Sequence, residues 1–244
     1  MEKKIIASEK LESFINGFYG FGNYSGPYWF VGIEPGGGDS FEDIVKRIQI
    51  WEDAKKPEVM DVAEYHLCLG IRKYFEDPVV LQPTWNRLIR IILSSKGYKV
   101  TPDLVRQYQK NDLGRIGKES CLIELLPLSS PRIKYWIMGS LTELKYLQEK
   151  SAYYKHCIPC RAEHIKKSIM EYRPKVVVFY GLAFFKYWKD IAEVDFTEES
   201  PDGIFLGRAQ DTVFIIVKHP VAFGIKNDYF HRVGKLIVAN NSAS

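Results

Sequence analysis

Four short runs of the chain are apolar at nearly every position and rich in β-branched or aromatic residues: 28–32, 121–126, 175–180 and 212–218. Unbroken apolar runs, as opposed to alternating ones, predict strands buried on both faces, the pattern of a parallel sheet covered by helices. Segments of helical period lie between them. Residues 83–95 put Trp85, Leu88, Ile89, Ile92 and Leu93 on one face and stop at Lys96-Gly97. Residues 161–172 align Ile165, Ile169 and Tyr172 and end at Arg173-Pro174, because a residue before proline is pushed out of the helical region. A last helix is predicted over 228–239. The order helix, strand, helices, strand, helices, strand, helix, strand, helix predicts a three-layer α/β/α fold with a central four-stranded, mainly parallel sheet, as a single domain over residues 1–244. The polar, basic stretch 96–118 has little period and reads as a surface loop.

Composition narrows this picture only a little. With 46% apolar residues, a chain of 244 can bury a substantial core. Its net charge of +4 suits a polyanionic partner without demonstrating one. The first residues turn polar at Ser8-Glu9-Lys10, without the apolar stretch of a secretory signal. No run approaches the length of a membrane span, so a cytoplasmic protein with no membrane partner is expected. Four cysteines do not make a disulfide scaffold, and reduced thiols are expected. His156-Cys157-Ile158-Pro159-Cys160 with His164 is half of a zinc pattern; a second ligand pair at matching spacing is missing, and no metal is expected. Gly36-Gly37-Gly38 lacks the lysine and hydroxyl residue of a P-loop, and no G-x-G-x-x-G follows the first strand, so no nucleotide cofactor is expected.

The chemistry collects at the carboxyl ends of the strands, where open α/β sheets bind their ligands. The first run leads into Glu34-Pro35-Gly36-Gly37-Gly38, the second carries Glu124 before Leu125-Leu126-Pro127, and the fourth ends at His219-Pro220. Each alone has a structural explanation: a helix cap, a salt bridge, a packed turn. Their placement on one edge is what singles them out.

Those residues resemble a known family. Gly32-Ile33-Glu34-Pro35-Gly36 is similar to the first motif of the uracil-DNA glycosylase superfamily, a strand-end loop whose third residue handles the catalytic water. His219-Pro220-Val221-Ala222-Phe223 resembles its last motif, and Leu122-Ile123-Glu124-Leu125-Leu126-Pro127 its middle strand. The segment from Arg173-Pro174 to Tyr180-Gly181 resembles the penultimate strand and its glycine. The likeness runs in order over roughly residues 28–235. It implies a monomeric, monofunctional DNA glycosylase without metal or cofactor, acting on a nucleotide flipped from duplex or single-stranded DNA. Glu34 would stabilise a sugar cation and orient water, and His219 would donate to the base oxygen. Phe223, at the position of the family's intercalating leucine, would be the wedge, and one ring among those of residues 18–29 would stack on the base. Ser129 and Ser130, with Arg132 and Lys134, would meet phosphates.

Two departures from the family bear on the base. Gly36 stands where the uracil-specific branch has a ring that blocks carbon five, and with Gly37 and Gly38 after it a bulky 5-substituent would have room. Glu124 replaces a base-reading asparagine; ionised, it only accepts hydrogen bonds, which suits the amine of cytosine better than the O4 of uracil. A 5-modified cytosine, such as the hydroxymethylated or glucosylated cytosine of phage DNA, is therefore the expected substrate, with an anti-phage role. The alternatives are uracil or mismatch repair, a catalytically silent nucleic-acid-binding relative, and a hydrolase of free nucleosides.

Overall fold

The computed structural model describes residues 4–130 and 135–241. In chain order the elements are α1 (Ser8–Gly17), β1 (Gly20–Gly22), β2 (Tyr28–Gly32), α2 (Phe41–Asp53), β3 (Val59–Met60), α3 (Val62–Leu69), α4 (Pro83–Ser95) and α5 (Pro102–Asn111). They continue with β4 (Ser120–Glu124), α6 (Met138–Leu141), α7 (Lys150–Tyr172), β5 (Val176–Tyr180), α8 (Phe185–Ala192), β6 (Thr197–Ser200), β7 (Ile204–Ala209), β8 (Thr212–Val217) and α9 (Asn227–Asn241).

The fold is α/β, and the four predicted strands lie side by side and parallel as β4-β2-β5-β8. Trp29, Phe30 and Val31 of β2, all of β5 up to Phe179, and Ile215, Ile216 and Val217 of β8 are fully enclosed. That is why these runs are unbroken in the sequence. The pairing sets Gly32 opposite Glu124 and Tyr180 opposite Val217, so the strands end on a common edge.

The sheet is larger than the four parallel strands expected. It is mixed and eight-stranded, in the order β3-β1-β4-β2-β5-β8-β7-β6. On one side β1 runs antiparallel to β4 and pairs with β3; on the other, β7 and β6 add antiparallel strands beyond β8. These strands leave little trace in the pattern. Gly-Phe-Gly and Val-Met are too short to show a period, Thr197–Ser200 is a polar edge, and the β7–β8 turn uses Gln210 at φ 52° where a hairpin usually signals with Asn-Gly.

Two helices differ from expectation. The stretch taken as a loop contains α5, opened by Pro102 after the Thr101 cap, whose hydroxyl accepts from the Leu104 amide. Its inward residues, Val105 and Tyr108, are few among charged neighbours, which hid the period. α7 begins at Lys150, well before residue 161, because Pro159 sits inside a helix that it would ordinarily break. Helices pack in groups, α4 against α5 and α9, and α7 against α8. At Gly234 a Cβ would lie 2.6 Å from the Ile91 carbonyl oxygen, so α9 meets α4 backbone to backbone. The four thiols are free, Cys121 and Cys157 buried, Cys68 and Cys160 exposed. Among the described residues no helix is long and apolar enough to cross a membrane.

Candidate active site

The edge formed by the ends of β2, β4, β5 and β8 gathers Glu34, Glu124, Tyr180 and His219. β4 keeps bonding past its last strand residue: the Leu125 and Leu126 amides donate to the carbonyls of Gly32 and Ile33 at 2.8 Å each. This carries the backbone after β2 outward alongside Leu125 and Leu126, toward Glu34.

Glu34 is nearly enclosed and has two partners on α7. Lys150 Nζ lies 2.5 Å from Oε1, and the Tyr154 hydroxyl donates to Oε2 at 3.3 Å. Lys150 and Tyr154 are one helical turn apart and so share a face. Lys150 also donates to the Ser130 hydroxyl at 3.1 Å. Burial pushes the Glu34 carboxyl above the usual carboxylate range, while Lys150 and the Tyr154 hydroxyl pull it back.

The loop after Glu34 turns back onto the start of α2. The Gly38 amide donates to Asp43 Oδ2 at 2.7 Å, and Arg47 bonds the same oxygen. The glycines differ in surroundings. Gly36 is exposed, and a Cβ on it would meet nothing within 4 Å. Gly37 and Gly38 have φ of 96° and 73°, and their Cβ positions are taken by the Arg47 guanidinium and by Ser129. Gly37 and Gly38 are thus turn and packing residues, without the empty volume expected at them. Ser129 and Ser130 are buried; the Ser130 amide donates to the Pro35 carbonyl, and the Ser130 hydroxyl donates to the backbone carbonyl of Tyr135. They brace the Glu34 loop from within, where a phosphate contact was expected. Arg132 and Lys134 lie outside the described residues.

Glu124 is half-buried. Its Oε1 accepts from the Tyr180 hydroxyl at 3.3 Å, and its Oε2, shielded from solvent, has no partner among the described residues. Burial raises its carboxyl to about 8, with the nearby Glu34 adding to the shift and Tyr180 and Arg161 opposing it. Tyr180 lies over the end of β2: a Cβ on Gly32 would fall 2.2 Å from its hydroxyl, so glycine is required there. The other side of the Tyr180 ring meets His219 edge to face, centroids 5.6 Å apart.

His219 Nδ1 accepts from the Val221 amide at 3.3 Å, which places the proton of the neutral ring on Nε2. Among the described residues Nε2 has no partner, and burial lowers the ring's affinity for a second proton. Phe223, four residues on, is fully exposed with Val221 beside it. A cavity of about 330 Å³ opens next to this loop, lined by Lys218, Phe223, Lys226, Tyr229 and Arg232 among others.

The aromatic cluster near the amino terminus is mostly core: Phe18, Tyr19, Phe21 and Trp29 are buried. The zinc-like residues are engaged elsewhere. His156 stacks on Tyr146 and His164 on Tyr19, both at 4.0 Å, and His164 bonds Glu58. Among the described residues no group of three or more metal-binding side chains occurs.

Sequence reasoning missed Lys150, Tyr154, Tyr180 and Arg161. Tyr180 was accessible, since it ends a predicted strand next to the motif glycine. Lys150 and Tyr154 were hidden by the misplaced start of α7, and Arg161 because its partners are backbone carbonyls of distant segments. Comparisons of the chain with protein-family models and with curated proteins return no match.

Proposed function

We propose that the chain is a DNA glycosylase that hydrolyses the N-glycosidic bond of a pyrimidine flipped out of DNA, with a 5-modified cytosine as favoured substrate. The observation that carries this reading is the pairing of an enclosed carboxylate, Glu34, with a neutral imidazole, His219, whose Nε2 has no partner among the described residues, on the carboxyl edge of the parallel strands of one sheet. Breaking the bond between sugar and base puts positive charge on the sugar and negative charge on the base. The Glu34 carboxylate stabilises the sugar cation and orients the water that attacks C1′, while the Nε2 proton of His219 bonds the base oxygen that receives the electron pair. The histidine remains neutral before the bond breaks, as its Nδ1 contact and lowered basicity favour.

The open space at Gly36 supports tolerance of a group on base carbon five, and the exposed Phe223 supports insertion into the gap left by a flipped nucleotide. Because phages make DNA decorated at this carbon, defence against phage fits such a substrate. Duplexes containing uracil, 5-hydroxymethylcytosine or glucosylated 5-hydroxymethylcytosine, treated with the protein and then alkali, test the reading. Cleavage at the modified cytosine, reduced about 10²–10³-fold in both Glu34→Gln and His219→Ala, is the expected result. DNA binding without base release from any substrate would instead indicate a silent relative, and release from uracil alone would remove the modified base from the proposal.

A further inference from the structure

Away from the carboxyl edge of the sheet, the seam between α4 and α9 collects cations with little to balance them. The two helices run in the same direction: Arg90 meets His231, and one turn further on the Gly234 backbone meets Ile91 and Ser95. Because that glycine brings the helices so close, the polar residues along the seam come together as well. They are Arg87 and Arg90 on α4, and Asp228, His231 and Lys235 at positions that share one face of α9.

Arg90 is only 6% exposed, yet among the described residues it pairs with no carboxylate. Its Nε donates to Asn86 Oδ1 at 2.9 Å and its Nη1 to His231 Nε2 at 3.2 Å, while no described residue bonds Nη2. A guanidinium only donates, so the proton of the neutral His231 ring sits on Nδ1, toward Asp228 at 3.8 Å. Arg87 has no hydrogen bond or ion pair among the described residues; its guanidinium lies 5.8 Å over the Phe230 ring. Burial disfavours the Arg90 charge and Arg87 adds to the effect; burial, Arg90, Lys235 and Arg87 together disfavour a second proton on His231. The one acid near them, Asp228, has a side chain 85% exposed, and water screens what it contributes.

We propose that Arg87, Arg90 and Lys235 hold a phosphate group in this seam, at a site separate from the carboxyl edge. A buried cation without a counter-charge is costly, and an anion placed here removes that cost. The free Nη2 of Arg90 and the whole fork of Arg87 offer charge-assisted donors, with the Lys235 ammonium one helical turn beyond His231. Donors that approach from two helices suit the several oxygens of a tetrahedral phosphoryl group better than the single plane of a carboxylate. Solvent reaches the seam, since Arg87 and His231 are half-exposed and Lys235 is exposed. Two sources offer the same phosphoryl chemistry. One is the backbone of a DNA strand, because α9 starts directly after the loop that carries His219 and Phe223; the other is a free phosphorylated small molecule.

The test measures binding and requires no base release, so it stands apart from the glycosylase reading. Fluorescence anisotropy follows an unmodified duplex against salt concentration, and calorimetry follows titration with inorganic phosphate. The proteins are the wild type, Arg87→Gln with Lys235→Gln, and, as a control, Lys99→Gln, an exposed residue beyond the far end of α4. If a DNA strand supplies the phosphate, the double variant should lower the slope of log K against log salt by about one, and Lys99→Gln should leave it as in the wild type. If the source is a free phosphate, the wild type should bind inorganic phosphate saturably, the double variant about tenfold or more weakly, and all three proteins should bind the duplex alike. Arg87 and Lys235 bond nothing in the fold, so the urea midpoint should not move; if it does, Lys235→Gln alone carries the comparison, with the same directions expected. A variant that matches the wild type with both probes, or a salt slope lowered equally by Lys99→Gln without saturable phosphate uptake, overturns the site.

Discussion

At the scale of single residues, the edge of the sheet contains two carboxyls that burial pushes upward against different opposing groups. Glu34 has Lys150 to oppose the effect of burial; Glu124 has, among the described residues, a phenol and a guanidinium bonded to its own backbone. Replacing Lys150 by methionine removes the counter-charge, so the Glu34 carboxyl should climb further. Since the ionised form is the one proposed to act, the acid limb of base release should move to higher pH, and a pH–rate profile of Lys150→Met against wild type reads that shift. Lys150→Arg should restore much of it. For Glu124 the consequence is one of stability. The folded state retains a proton up to about pH 8 that the unfolded chain gives up near the ordinary 4.5. The folded form therefore binds more protons across that interval, and stability falls as pH rises through it. Glu124→Gln removes the titration, so its urea midpoint should gain on wild type as pH increases from about 4.5 to about 8, by a few kcal/mol in all, and level off beyond.

At the scale of elements, the end of β4 is tied to the end of α1 and the turn that follows it by one side chain. The enclosed Arg161 of α7 donates to the carbonyls of Leu125 at 2.6 Å, Glu124 at 3.0 Å and Phe18 at 2.8 Å, and also to that of Ile15. These carbonyls lie where strands and helix end, so no ladder partner is available to them. Arg161→Met would leave them unsatisfied and should cost about 3–5 kcal/mol, seen as a lower urea midpoint. Arg161→Lys should recover little, because one ammonium does not span four acceptors arranged for a planar fork. This tie was invisible in the sequence: an arginine after Cys-Ile-Pro-Cys looks like the solvent face of a helix, and its partners are backbone atoms of distant segments. β2, β5 and β8 were legible because burial on both faces demands unbroken apolar runs. So were Glu34, Glu124 and His219, since residues that interrupt such runs at their carboxyl ends stand out. Lys150 and Tyr154 were not, because their role depends on the path of a helix through Pro159, which pattern alone argues against.

At the scale of the whole molecule, the proposed reaction needs a nucleotide pulled from its helix, and that sets a demand on the surface as well as on the pocket. Phe223 has a relative exposure of 108% on a loop with little packing of its own, held by the Ala222 amide on the His219 carbonyl and turned by Gly224 at φ 75°. An aromatic ring left wholly in water contributes nothing to the core, so Phe223→Ala should change the unfolding free energy by less than about 0.5 kcal/mol. If the ring fills the gap in the stack, the same change should slow base release from duplex DNA about tenfold or more and spare single-stranded DNA, where no stack has to be opened. The mild positive charge predicts that binding to both weakens with salt, through phosphates that neither Phe223 nor its loss affects. Comparing the two substrates at one salt concentration therefore isolates the wedge from the general attraction. Equal slowing on both would mean that Phe223 acts on the shape of the His219 loop and not on the duplex. Leu should substitute for Phe at this position, since insertion asks for apolar bulk and not for an aromatic face.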